Sequence, residues 1–479
     1  MIAGKPQSVI GQLVGTSLAI AFLGVCLASP QVIDGLLVPA KPMMTAGGPK
    51  DDAGPNAEEN VSRKSNLFDE REIPFQIGLA GAPISYFGDE NSPTFETAFQ
   101  QLADSGFDFF FPLFVVRETQ EQATYSTHGD YFFPASLTGK SPERACGGSF
   151  NPYSAALGKL DIWYPGIQLL GLLDTTQPIV DETLVSTLAG LQRECPDLKQ
   201  AVTVFYSFDE PSLNRVVANY LKKPLVAAGN EAKVAQLVRQ AWGVPVVIVD
   251  APDESTIQTT GLPANEIETL VDMFWKDVEQ VASSQDGYGF DVYSIPDFRL
   301  TLAGDYVKRA KEIAVDQRIV SVIQGMSFAG ITGDSAGGRA PTEREVRFQA
   351  IDSLVAGADF LCWYGASSLD LMIPADRQLW EAICAVAKEI QSMSETIQGQ
   401  PAALEFSELL GYRCYKSEQS LTVFLTNRSQ QVSQIPLSFA ADWSMVEVIA
   451  GPMPERTAAG WLLECPPETA CIYQFRQPR

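Results

Sequence analysis

Histidine is almost absent from this chain: there is one, His128, among 479 residues. It sits in the turn-like stretch Thr127-His128-Gly129-Asp130 and reads as a solvated loop residue. A Ser-His-Asp triad can be built only through it, and histidine-rich zinc or iron sites are excluded. The eight cysteines (Cys26, Cys146, Cys195, Cys362, Cys384, Cys414, Cys465 and Cys471) contain no Cys-x-x-Cys pair, so zinc ribbons and thioredoxin-like centres lack their signature. No Gly-x-Gly-x-x-Gly or Walker-type loop follows a strand candidate, which leaves a nucleotide without its phosphate cradle. Basic residues are scarce, 34 Lys and Arg against 58 Asp and Glu, for a net charge of −24. That balance argues against nucleic acid or an anionic membrane surface, and a neutral or cationic ligand fits it better. No cofactor and no bound metal is implied, and acid–base chemistry falls mainly to carboxylates.

The composition, 46% hydrophobic and 10% aromatic, suits a large core. Residues 1–29 combine Lys5 with an uncharged apolar run from Leu13 to Ala28 and read as a signal peptide, with a membrane anchor as the alternative. Leu23-Gly24-Val25-Cys26 resembles a bacterial lipoprotein cleavage box, although Val25 stands where a small residue is usual. The expected location is therefore secreted or associated with the cell envelope, with a membrane tether through this segment as one form of it. Residues 30–72 follow as a flexible spacer.

Short apolar runs then alternate with longer amphipathic ones, which is the pattern of βα units around a parallel sheet. Strands are expected at 76–81, 107–116, 168–174, 201–208, 245–250, 290–295, 319–325 and 360–364. Helices are expected at 94–105, 181–194, 266–282, 305–315, 342–356 and 377–397. Eight alternations predict an α/β fold: a closed (β/α)8 TIM barrel over residues 73–400. After Gly399 the texture changes to short β-forming segments such as 421–427, 443–449 and 470–475, which predict a small antiparallel, β-sandwich-like domain at 401–479. Cys362 and Cys384 lie in apolar contexts and read as free buried thiols. Cys414, Cys465 and Cys471 can supply one disulfide in an exported protein.

The active site of such a barrel lies where the strands end. Strand four closes on Tyr206-Ser207-Phe208-Asp209-Glu210-Pro211, strand three on Asp174, strand five on Asp250, and strand six on the stretch from Tyr293 to Asp297. Gln324 and Gly325 close strand seven, and Trp363-Tyr364-Gly365 close strand eight. Carboxylates, an amide and aromatics at one mouth suit a neutral sugar: partners for hydroxyls, flat faces for ring C–H groups, and acid–base groups for a glycosidic oxygen. Asp209 and Glu210 are the catalytic candidates, with Tyr206, Asp174, Asp250, Tyr293, Gln324, Trp363 and Tyr364 as substrate-binding candidates. The bland alternative for the two acids is a cap on the next helix; for Trp363 and Tyr364 it is barrel core.

The segment from Tyr206 to Pro211 resembles the Asn-Glu-Pro or Asp-Glu-Pro motif on the fourth strand of barrel glycoside hydrolases. Val322-Ile323-Gln324-Gly325, Arg339-Ala340-Pro341-Thr342-Glu343-Arg344-Glu345 and Ala356-Gly357-Ala358-Asp359-Phe360-Leu361-Cys362-Trp363-Tyr364-Gly365 are similar to the last third of such barrels. The resemblance implies cleavage of O-glycosidic bonds in an oligosaccharide or polysaccharide, with Glu210 as general acid. One departure matters: retaining members of this kind end strand seven in a nucleophilic Glu, and this chain has Gln324. An adjacent Asp-Glu pair is similar instead to substrate-assisted hexosaminidases, in which Asp209 would orient the substrate's own acetamide. An inverting course with Asp174, Asp250 or Asp297 as base stays open. Two other classes compete: a non-catalytic glycan-binding or envelope scaffold protein, and a metal-assisted hydrolase or lyase built on Asp174, Asp209, Glu210 and Asp250.

Overall fold

A computed structural model describes residues 66–476 apart from 87–94, 113–116, 119–122, 125–130, 134–135, 137–145, 147–150, 171–172, 221, 223–225, 259–260, 328–338, 400, 418 and 438–442. The expected export segment, Cys26 and His128 lie outside the described residues, and no described helix is long and apolar enough to cross a membrane.

Eight parallel strands close into a barrel: β1 (Gln76–Ala80), β2 (Phe109–Phe111), β3 (Asp161–Pro165), β4 (Val202–Asp209), β5 (Val246–Asp250), β6 (Gly287–Val292), β7 (Arg318–Gln324) and β8 (Phe360–Tyr364). β1 pairs with β2 on one side and β8 on the other, which completes the ring. The helices α1 (Phe95–Asp104), α2 (Asp181–Glu194), α3 (Pro211–Tyr220), α4 (Asn230–Trp242), α5 (Ala264–Ala282), α6 (Leu302–Ile313), α7 (Glu343–Ala356) and α8 (Pro374–Gln391) connect the strands or follow the last of them.

Strand alternation divides the barrel into two cores. Val204, Tyr206, Val247, Val249, Val320, Val322, Phe360 and Cys362 point inward and pack with Phe109 and Trp163, whose rings stack at 4.0 Å. Gly78 makes room for that stack, because a Cβ there would meet the Phe109 ring at 2.0 Å. The intervening residues, among them Phe205, Ile248, Phe290 and Trp363, face the helices.

The third strand is not the expected one. The run at 168–174 gives way to β3, seven residues earlier, and Gly166–Leu170 is a short helix. Pro165 ends the strand, and Gly166 lets the chain turn against β4, where a Cβ would meet the Phe205 ring at 2.1 Å. β6 likewise begins at Gly287 rather than 290. The spacer expected to reach residue 72 stops short as well: Asn66 caps a helical turn at Leu67–Glu70 and bonds the Asp286 and Asp316 carbonyls, which seats a fully buried Phe68 against Phe360.

Beyond the barrel, β9 (Ala403–Phe406), β10 (Leu410–Lys416), β11 (Ser420–Asn427), β12 (Ser433–Leu437), β13 (Ser444–Ala450), β14 (Glu455–Thr457), β15 (Gly460–Cys465) and β16 (Thr469–Arg476) form two antiparallel sheets, ordered β9-β10-β11-β16-β13 and β12-β15-β14. Val423, Leu425, Ile435, Leu463, Cys471 and Phe475 from both sheets share one core. This unit packs on α7. Arg428 bridges the junction, reaching Asp305 Oδ1 at 2.5 Å and Asp352 Oδ1 at 3.2 Å. Asp352 also accepts from Thr426, and burial pushes its carboxyl up to about 7 against the pull of Arg428.

The disulfide joins Cys146 to Cys195 at the end of α2. Among Cys414, Cys465 and Cys471, where one bond was expected, no S–S bond joins any pair in this structure, although the Cys465 and Cys471 sulfurs lie side by side; Cys362 and Cys384 are thiols. Cys362 lies in the barrel interior and Cys384 is half-buried.

Candidate active site at the barrel mouth

Asp209 is the last residue of β4 and Glu210 the first beyond it. Neighbouring residues of a strand face opposite sides, so two consecutive acids do not ordinarily serve one site. Two local departures bring them together. The β4–β5 register slips by one residue between Tyr206 and Asp209, a bulge that returns Asp209 to the inward side. Glu210 then adopts a left-handed backbone at φ 47°, anchored by its N–H donating to the Val249 carbonyl at 2.9 Å. Such a conformation is strained for a residue with a Cβ and concentrates at functional sites.

A third acid completes the cluster. Asp291 follows Gly287 and Gly289 on the inward face of β6 and is 8% exposed. Its Oδ2 accepts from the Tyr293 hydroxyl at 3.0 Å, whereas Oδ1 has no protein donor. The Glu210 carboxyl lies within hydrogen-bonding reach of it. Two carboxylates do not bond without a proton between them, so this contact needs one. Burial, then the charges of Asp291 and Asp209, hold Glu210 well above the usual carboxylate range. Burial and the Asp209 charge push Asp291 up to about 8. Asp209 is raised by burial, with the Tyr206 hydroxyl donating to its Oδ1 at 2.8 Å as the counterweight.

Over the acids, Tyr293 and Tyr364 stack at 5.2 Å with Met326 against both. Gly365 allows that contact, since a Cβ there would meet the Met326 sulfur at 2.3 Å. Asp209, Glu210, Tyr293 and Tyr364 all keep part of their surface open to solvent.

Of the nine candidates, the structure therefore gathers Asp209, Glu210, Tyr206, Tyr293 and Tyr364. The other four make their contacts elsewhere, although the Asp250 charge still bears on Glu210 and Asp291. Asp174 is exposed on a turn, where its carboxylate caps Thr176. Asp250 takes the helix-capping role foreseen for Asp209 or Glu210: Oδ1 accepts from the Ser212 and Leu213 N–H groups at the start of α3, and Oδ2 from the Tyr288 hydroxyl at 2.8 Å. Buried there, its carboxyl is pushed up to about 6. Gln324 is fully buried and spends its amide on backbone, accepting from Ile295 N–H and donating to the Ile295 and Met326 carbonyls. Trp363 faces outward, fully buried with its ring edge on Phe107, and its indole N–H has no partner. Asp297, weighed as a base, is exposed. Asp291 was missed, although an acid two residues beyond inward Gly289 on an apolar strand was the available signal.

Among the described residues no group of three His, Cys, Asp or Glu has the arrangement to hold a metal ion. Arg215 on α3, whose charge bears on Asp250, is committed to Asp277 and Glu231.

No family model matches the sequence, and no curated protein matches it. Similar solved structures include an alpha-amylase from H. orenii (10% identity, 85% of this chain, 100% of the other, TM-score 0.47). A GH30 endoxylanase from Clostridium papyrosolvens follows at 11% identity, covering 84% of this chain and 96% of the other, TM-score 0.44. A debranching enzyme from Nostoc punctiforme has 9% identity, 83% and 98% coverage, and TM-score 0.45. The fold assignment itself rests on the closed strand order of the barrel.

Proposed function

We propose that this chain is a glycoside hydrolase that cleaves O-glycosidic bonds in an oligosaccharide or polysaccharide. The observation that carries this reading is the cluster of Asp209, Glu210 and Asp291 that the β4 bulge and the left-handed Glu210 backbone bring together at the barrel mouth, beside the Tyr293–Tyr364 pair. A general acid must hold its proton near neutral pH, and burial among like charges gives Glu210 that property. As the C–O bond breaks, Glu210 delivers the proton to the leaving oxygen. Facing acid and nucleophile stand about 5–5.5 Å apart in retaining enzymes and about 6.5–9.5 Å apart in inverting ones, to leave room for the sugar or for sugar and water. Asp291 is near enough to raise Glu210, and the two are read as one proton-holding unit rather than as that facing pair. A substrate-assisted course is the better fit: Asp209, steadied by Tyr206, orients and stabilises a 2-acetamido group acting as the internal nucleophile.

Aryl glycosides, N-acetylhexosaminides included, test the reading; turnover that survives a chelator supports it. Binding without turnover on every member would favour the glycan-binding alternative, whose support is Gln324 locked on backbone where related barrels carry a nucleophile. The metal-assisted alternative loses its ligand set, because Asp174 lies on a surface turn and Asp250 caps α3.

The proton pair sets a pH dependence. A general acid with raised pKa keeps its proton to higher pH than an ordinary carboxyl, so activity should be lost on the alkaline side, as pH rises through the raised pKa of Glu210. Asp291→Asn removes a charge that holds Glu210 up, and the alkaline limb of kcat/KM should move at least about one unit toward acid. A limb that stays in place would dissociate Asp291 from the acid.

Export is part of the proposal. The Leu13–Ala28 run supports it, and so does the Cys146–Cys195 disulfide, a bond typical of oxidising compartments. The full chain should fractionate with the envelope or the medium; recovery in the cytoplasm with Met1 intact would overturn this part.

A further inference from the structure

Cys465 closes β15 and Cys471 lies in β16, strands that belong to different sheets of the C-terminal unit and are joined by the corner Pro466-Pro467-Glu468. Glu468 turns that corner at φ 46°, and Asn427 Nδ2 ties the Cys465 carbonyl to the end of β11 at 2.8 Å. Both cysteines are fully buried in the core between the sheets, and their sulfurs lie 3.1 Å apart. That is about 1 Å more than a bonded S–S of ~2.05 Å. Gly451 leaves room for the Cys471 sulfur in this position, since a Cβ there would stand 2.6 Å from Sγ. From this geometry we propose that Cys465 and Cys471 form a disulfide that staples the two sheets, a second bond beside Cys146–Cys195.

The chemistry needs an oxidant of the disulfide class, such as oxidised glutathione. Cys471 thiolate attacks one sulfur of that disulfide, which forms a mixed disulfide and expels a thiolate. Cys465 thiolate then attacks the Cys471 sulfur and expels the second. Two protein thiols become one S–S bond, one oxidant disulfide becomes two thiols, and the two protons leave on them. The hydrogen bond that the two sulfurs share holds the Cys471 thiol below its usual pKa, which suits it to the first attack. Because both sulfurs are buried, exchange takes place as the strands close, and the finished bond is shielded from reductant.

The full chain, folded in a glutathione redox buffer, is denatured with alkylating reagent present and cut after Glu464 and Glu468, which leaves the two cysteines on separate peptides. These should remain joined and separate only on reduction, as the Cys146 and Cys195 peptides do. Alkylation of both Cys465 and Cys471 beside an intact Cys146–Cys195 bond, or a bond from either to Cys414, would overturn the proposal. Cys465→Ser should melt roughly 5 °C below the parent under oxidising conditions. With dithiothreitol present during folding the two should converge. An equal gap in both conditions would mean that the thiol acts by packing, and the staple would be rejected.

Discussion

Glu210→Gln is expected to lower turnover about 10²- to 10⁴-fold, the usual contribution of general-acid catalysis, while ligand affinity stays largely intact. The amide keeps the size and hydrogen-bonding capacity of the side chain but carries no proton to deliver. The deficit should shrink for aryl glycosides whose leaving group needs no protonation. Asp209→Asn should behave differently, impairing activated substrates too, because an acetamide-derived intermediate would lose its stabilising charge. The measurement is kcat and KM for both variants on leaving groups of graded acidity. A Glu210→Gln enzyme with parental turnover would remove the catalytic assignment.

Trp363→Ala should destabilise the chain by about 3–5 kcal/mol through the cavity it leaves between β8 and the helices. Its indole is fully buried, in edge contact with Phe107, which in turn stacks on Trp380. KM should stay close to the parent value in the fraction that remains folded. A Trp that formed a sugar platform would give the opposite pattern, a raised KM with an unchanged urea midpoint. Urea unfolding together with KM therefore decides between core and platform.

These two residues show what was legible in the sequence. The barrel could be read because eight βα alternations leave few other topologies, and Asp209-Glu210 stood out because charge at the end of an apolar strand must be solvated or used. Strand alternation was also legible and would have refined the site: Trp363 and Tyr364 are consecutive on β8, so only one of them faces inward. The same period places Asp291 with Gly287 and Gly289. What the residue order does not carry is the local exception to the period. The β4 bulge and the left-handed Glu210 backbone depend on pairing with β5, and no sequence motif encodes that register. Asp250 and Gln324, read as substrate-binding candidates, bond neighbouring backbone for a related reason. A polar residue at a strand end serves a ligand or a neighbouring backbone equally well, and only the N–H groups of Ser212 and Ile295 distinguish the two. The third strand was displaced because the apolar run 162–173 is long enough for two registers, and the Pro165-Gly166 break that chooses between them looks like an interruption.

Composition places a boundary near residue 400, where a barrel gives way to sheets, but chemistry does not respect it. Arg428 is almost wholly buried and its charge is met by Asp305 and Asp352, both on barrel helices or their ends. Cutting the chain at 400 would leave Asp352 facing exposed apolar surface without its cation, and would leave the terminal sheets with an arginine that has lost its acids. Neither half is a portable module. The barrel and its appendix share one ion cluster at their junction, so attempts to transplant the barrel into another protein should carry the sheets along.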